Sequence, residues 1–199
     1  FGREDPLLRG FERVEAEPLR PYAFHPWFFD IIGAFPRAPG LRGLASEFPG
    51  PSMRAPWVVE RALDFWRHPD ARPRFLFVNL MEAHLPWIPE PRDLGRFGPP
   101  GLDTEGEQLA VLGRYLKAGS ATAEETIILR DRYDEALSSL DRSLGRLLEG
   151  VANAPRGNET VVVVTSDHGE SLGEHARFGH RNSLDEEATR IPLILNGPG

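Results

Sequence analysis

The 199-residue chain contains no cysteine, which excludes disulfides and Cys-ligated zinc and leaves the compartment unreadable from redox chemistry. Lysine is almost as scarce: Lys117 is the single one, so the positive charge is carried by arginine, which we read as a compositional bias of the genome and not as function. Positive charge is itself in deficit, with a net charge of −7 and a pI near 5.4. That balance argues against a nucleic-acid partner, because binding to phosphate backbones is driven largely by Lys and Arg. No apolar run approaches the roughly 20 residues of a membrane span. Internal repeats and low-complexity tracts are absent too.

What remains is ordinary globular material, 40% hydrophobic and 27% charged, long enough to bury a sizeable core as one domain or one and a fraction. The chain opens on Phe1 and not Met, and it stops on "NGPG" straight after an apolar run. Both ends therefore read as cut, and the absence of a signal peptide carries no weight.

Residues 1–50 are rich in Pro, Gly, Arg and aromatics ("RPYAFHPWFFDIIGAFPRAPGLRG") and show no clear period, so they are expected to form a loop-rich region. Residues 51–199 read as an α/β core. Pro56 opens a helix expected to reach about His68, and Pro69 stops it. A second helix is expected over 104–118. A third is expected over 122–149, with Thr122 and Glu125 as a capping box, Gly150 as a C-terminal stop, and Tyr133, Leu137, Leu140, Leu144 and Leu147 as one apolar stripe. "RFLFVNL" at 74–80, "ETVVVVTS" at 159–166 and "IPLIL" at 191–195 read as buried strands. Uninterruptedly apolar strands alternating with helices predict a largely parallel central sheet with helices on both faces.

In such sheets ligands bind beyond the carboxyl ends of strands. Two places qualify. His84 follows the first strand, just before Pro86 and Trp87, and Asp167, His168 and Gly169 follow the second. A carboxylate beside an imidazole at a strand end can hold one cation, and this oxygen–nitrogen pair suits Zn2+ or Mn2+, whereas Ca2+ prefers oxygens. The competing reading of Asp167-His168-Gly169 is a plain turn with Gly169 bending the backbone. His84 could likewise only pack on Trp87. His175 and His180 flank "ARFG" and could be surface residues, and His25 and His68 read as structural. Glu170 and Glu174 are four apart and read as a solvated first helical turn. Arg190 reads as half of a buried ion pair with Glu186 or Glu187.

Taken together, "VVVVTSDHGESLGEH" and "GHRNSLDEEATRIPLILNGPG" resemble the sulfatase family of the alkaline-phosphatase superfamily. "RFLFVNLMEAHLPWIPEP" looks like that family's segment carrying a His before a Pro. "YDEALSSLDRSLGRLLEGV" looks like the helix between these segments, and "RGFERV" at 9–14 like its Gly-Phe-Asp segment, all in the family's order. The resemblance implies an alkaline phosphatase-like α/β fold, of which residues 1–199 would be the middle and C-terminal part. It implies Asp167 and His168 as metal ligands, with Ca2+ the ion by family habit. It implies His84 and His180 as catalytic groups that contact the sulfuryl or phosphoryl oxygens, and His175 as a residue orienting a ligand or loop from behind. Asp185 stands where the family carries a tyrosine, a change expected to affect packing.

His180 stands where many sulfatases carry a lysine, and an imidazole there is closer to phosphoglycerol-transferase-like members. The family's nucleophile, a formylglycine made from Cys or Ser in a Cys/Ser-x-Pro-x-Arg motif or a Thr in the transferase branch, is not found here, and neither "GPPGL" nor "SMRAP" matches that motif. It is expected upstream, and this piece alone is expected to be inactive. The implied function is metal-dependent hydrolysis of a small-molecule or glycan sulfate ester, in a periplasmic or secreted protein. The alternatives are a phosphoesterase or phosphoglycerol transferase on the same scaffold, and a non-catalytic homologue.

Overall fold

The computed structural model describes residues 54–68, 73–98, 105–180 and 183–198. The loop-rich region at 1–50, "RGFERV" and His25 lie outside the described residues.

Three helices form the packed half. Helix α1, Ala55–Arg67, begins without a side-chain cap on its own first turn. Instead the Glu82 carboxylate accepts the Ala55 N–H from 27 residues away. Helix α2 is Glu105–Ala118 and helix α3 is Ala123–Ala152. The capping box of α3 is present: Glu125 N–H donates to Thr122 Oγ1 at 3.1 Å, and Thr122 N–H donates to Glu125 Oε2 at 3.0 Å. α3 runs past Gly150 to Ala152, so that glycine is not the stop. Its place is set by packing, because a Cβ there would stand 2.2 Å from Leu63 Cδ2 of α1.

α3 is the spine between two apolar clusters. One gathers Val59, Leu63 and Trp66 of α1 with Leu147 and Val151. The other gathers Leu112 and Tyr115 of α2, Leu129 and Ala136 of α3, and Trp87 and Phe178 from the connecting segments. The expected leucine stripe on α3 is mostly half-buried. The fully buried face lies one step round, carrying Arg132, Glu135, Ser139 and Ser143 between the apolar residues. Three of those four polar groups have hydrogen-bond partners. Arg132 Nη1 donates to Gln108 Oε1, whose Nε2 donates to Glu135 Oε2, and Ser139 Oγ donates to Asp93 Oδ2.

The strands depart from expectation. β1, Val162–Thr165, pairs antiparallel with β4, Leu193–Asn196, in the register Val163↔Leu195 and Thr165↔Leu193. The two-residue strands β2, Ser171–Leu172, and β3, Phe178–Gly179, also pair antiparallel. No parallel pair occurs among the described residues. The strand expected at 74–80 does not form among those residues. Leu76, Val78 and Leu80 pack against the α1 cluster while Phe75 and Phe77 point outward, so the segment keeps strand periodicity without a ladder. No helix among the described residues is long and apolar enough to cross a membrane.

Candidate active site

Three segments converge beside the packed half. The first is the turn at 81–87, tied by His84 N–H to the Met81 carbonyl and Trp87 N–H to the His84 carbonyl. Trp87 anchors it. The indole is fully buried, edge-on to Tyr133 and Phe178. Arg132 Nε donates to the Pro86 carbonyl at 3.0 Å. Burial pushes the Arg132 guanidinium down to about 10, which leaves it charged at neutral pH.

The second segment leaves β1 as Ser166-Asp167-His168-Gly169. Gly169 N–H donates to the Ala188 carbonyl at 2.8 Å, and a Cβ on Gly169 would stand 2.1 Å from the Glu187 carbonyl oxygen. Close approach, and not an unusual bend, is therefore what the position requires of glycine.

The third is β3 and the residue after it. Tyr115 of α2 clamps β3 from the side: its hydroxyl accepts the Phe178 N–H at 2.9 Å and donates to the Phe178 carbonyl at 3.3 Å. A two-residue strand edge is thereby satisfied by a side chain, which sets where His180 begins.

These segments bring His84, His168 and His180 together, with a ligand-type nitrogen from each within 4.8 Å of the others. The His168 and His180 rings lie 3.7 Å apart between centroids and tilted by 30°, and the His84 ring is 5.2 Å from that of His180. The hydrogen bonds fix which nitrogen each ring can offer. His84 Nδ1 meets the Leu85 carbonyl at 2.7 Å and His168 Nδ1 meets the Gly169 carbonyl at 2.7 Å. A carbonyl only accepts, so both Nδ1 atoms carry hydrogen and both Nε2 atoms are free.

Asp167 points outward, 90% exposed, with Oδ1 3.8 Å from His168 Nε2. Two donors of one ion at about 2.0–2.2 Å can stand up to about 4 Å apart, so this pair fits a single cation. A ligating histidine that spends its other N–H on a backbone carbonyl has the usual arrangement of a metal ligand.

The remaining expectations fall elsewhere. His175 lies on a 3-10 turn at Glu174–Ala176 with Nε2 3.9 Å from Glu187 Oε2, away from the three-histidine cluster. Its Glu187 contact joins it to the 185–189 segment, whose Ala188 carbonyl accepts the Gly169 N–H. His68, the residue after α1, donates from Nδ1 to the Asp64 carbonyl. Arg190 pairs with Glu186 at 3.1 Å, but both side chains are exposed, so the pair is not the buried one expected. Its four-residue turn, α4, Glu186–Thr189, projects them into solvent.

Glu170 overturns its solvated reading. No helix begins there, and the carboxylate is 5% exposed, accepting from Trp87 Nε1 at 3.1 Å and contacting His180 Nδ1 at 3.1 Å. The sign of this in the chain is faint, a lone acid between Gly169 and a short strand. Arg132 and Tyr115 were equally invisible as supports, because their partners lie 46 and 63 residues away.

The model of the family described as Sulfatase matches residues 35–199. A sulfatase of Formosa agariphila is 41% identical over 160 residues, covering 71% of this chain and 30% of that protein. Human iduronate 2-sulfatase is 39% identical over 151 residues, covering 65% and 27%. A protein of Trinickia caryophylli described as a multifunctional alkaline phosphatase superfamily protein, PehA, is 25% identical over 187 residues, covering 81% and 36%. No solved structure matches. The chain spans about a third of the length of these relatives. With the family model covering most of its length, the chain belongs to the sulfatase family and so to an α/β fold of the alkaline-phosphatase type.

Proposed function

We propose that the full-length protein hydrolyses sulfate esters, with this chain supplying one wall of the pocket. The observation that carries the reading is the gathering of His84, His168 and His180 beside Asp167 on a chain of this family. Asp167 and His168 hold one divalent cation, Ca2+ by resemblance or Mn2+ or Zn2+ by donor type. When bound, that ion supplies positive charge against the substrate oxygens and the nucleophile's hydroxyl. The nucleophile is a formylglycine from another part of the domain. The largely parallel central sheet, and export to the periplasm or medium, belong to the same reading.

The work of this chain's residues follows from their free nitrogens. His84 and His180 present Nε2 to the sulfuryl oxygens and donate to them when protonated. As the ester S–O bond breaks, His84 gives its proton to the departing alkoxide oxygen. A water proton later restores it, so that ester and water become alcohol and sulfate. Proton donation of this kind contributes about 10²–10⁴-fold. The buried Trp87 and the Arg132 bond to Pro86 keep the imidazole aimed while this happens.

A phosphoesterase is the second reading, favoured by an imidazole at position 180 where many sulfatases carry lysine. The test is the full-length protein, produced with its formylglycine, on 4-nitrophenyl sulfate and 4-nitrophenyl phosphate. We expect sulfate to be preferred by about tenfold or more in kcat/KM, a transition-state difference above about 1.4 kcal/mol. The reverse preference would install the phosphoesterase. No turnover of either by metal-loaded protein would leave the non-catalytic homologue. Asp167→Asn should lower metal content and activity together. His84→Ala should cost about 10²–10⁴-fold in activity with metal retained, and loss of metal there would overturn these roles.

A further inference from the structure

We infer that Glu170 is a positioning residue that sets which nitrogen of His180 faces the pocket and ties the His84 and His180 segments into one piece. The inference rests on the reading of His84, His168 and His180 as the site, and adds to it a residue that touches no substrate.

The two oxygens of Glu170 have different partners. Oε2 accepts from Trp87 Nε1 at 3.1 Å, and Oε1 lies 3.1 Å from His180 Nδ1. An indole N–H can only donate and a carboxylate can only accept. The contact to His180 is therefore made with hydrogen on Nδ1, which leaves Nε2 as the nitrogen available to the pocket. That gives His180 the same tautomer as His84 and His168, whose Nδ1 atoms donate to the Leu85 and Gly169 carbonyls. All three rings then offer Nε2.

The placement also explains a burial that packing alone would not. A carboxylate only 5% exposed is costly unless its oxygens are satisfied, and here both are. Trp87 follows His84 by three residues, and Glu170 follows His168 by two. One side chain thus bridges the three segments that carry the site, with its Trp87 end held against Tyr133 and Phe178. Fixing an imidazole by a carboxylate on its far nitrogen is the arrangement that orients general acids and bases elsewhere.

Replacing Glu170 by glutamine separates a tautomer effect from a packing one. Trp87 Nε1–H still requires an acceptor and takes the amide oxygen. The amide NH2 is then left facing His180 Nδ1, which must become an acceptor, so hydrogen moves to Nε2. The experiment is long-range proton–nitrogen correlation NMR on full-length protein labelled with 15N-histidine, in calcium buffer at about pH 8.5, some two units above the ordinary imidazole range. His180 signals are assigned by their loss in His180→Asn.

We expect Nδ1–H in the wild type, Nε2–H in Glu170→Gln, and Nδ1–H retained in Trp87→Phe. Activity of Glu170→Gln should fall about 10²–10⁴-fold in kcat with KM changed far less, the pattern of a misdirected imidazole. Nε2–H in the wild type would overturn the inference without any variant having to fold, and so would an unchanged Nδ1–H in Glu170→Gln. Should the tautomers come out as expected while the wild type turns over no ester, the inference stands and the proposed function falls.

Discussion

The helical half and the stranded half of this chain treat the same residue types in opposite ways. Leu112, Leu129 and Val59 on the helices are fully buried, whereas Val163 on β1 is 54% exposed and Leu195 opposite it on β4 is 66% exposed. Phe75 and Phe77, just before the His84 turn, are also open. The helices complete their own cover because α3 has α1 against one end and α2 against the other. The strands are apolar on both sides, a pattern that belongs to sheets covered on both faces. An apolar pattern therefore records that cover is required without recording which stretch of chain provides it. The site sits where the two halves meet, with its histidines on the connecting segments and its supports, Arg132 and Tyr115, on helices.

The contrast can be broken hardest from the helical side. Arg132→Ala would leave the Glu135 carboxylate buried without its guanidinium and free the Pro86 carbonyl. Losing one member of a buried charged network costs about 3–5 kcal/mol. We expect a loss of that order in urea unfolding, and a loss under about 1 kcal/mol would mean that water replaces the arginine.

Acid should act on the same half more gently. Asp93 is buried and held by Arg142, foremost, and by Ser139 and Ser138, which bring its carboxyl down to about 2 from an ordinary 3.8. A folded value below the unfolded one means that the stabilisation is present above the ordinary carboxylate range. It is lost as pH falls from about 5 towards 2, and amounts to about 2 kcal/mol. Asp93→Asn should flatten the stability profile across that window. A profile as steep as the wild type's would assign the acid sensitivity to other groups.

The smallest effect is expected in the strands. Val163→Thr in this chain should stay within about 0.5 kcal/mol, as exposed substitutions usually do. Repeating the substitution in the full-length protein sharpens the comparison, since a cost rising above about 1 kcal/mol there would reveal a face that the longer chain covers.

The elements were legible where local chemistry decides them. Thr122 and Glu125 announce the start of α3 because a capping box closes within four residues. The strand-end rule led to His84 and His168, although residues 74–80 make no ladder and β1 pairs antiparallel with β4. Strand ends brought them together in sequence terms; Trp87, Arg132 and Tyr115 do so in space. What stayed hidden was whatever depends on distant partners. The leucine stripe on α3 drew attention from the face that is truly buried, because hydrophobicity cannot see that Arg132 and Glu135 meet through Gln108. Glu170 escapes the local pattern for the same reason, its satisfaction resting on an indole 83 residues away.

Gly169 lies so near the Glu187 carbonyl that there is no room for a single added carbon. A mutational search for new substrates, randomising residues 166–172, would find position 169 closed on steric grounds alone, whatever it demanded of Asp167, His168 and Glu170. It would also find that changes in the 185–189 turn register at His168 one residue away, as though the two stretches were a single part cut from one block.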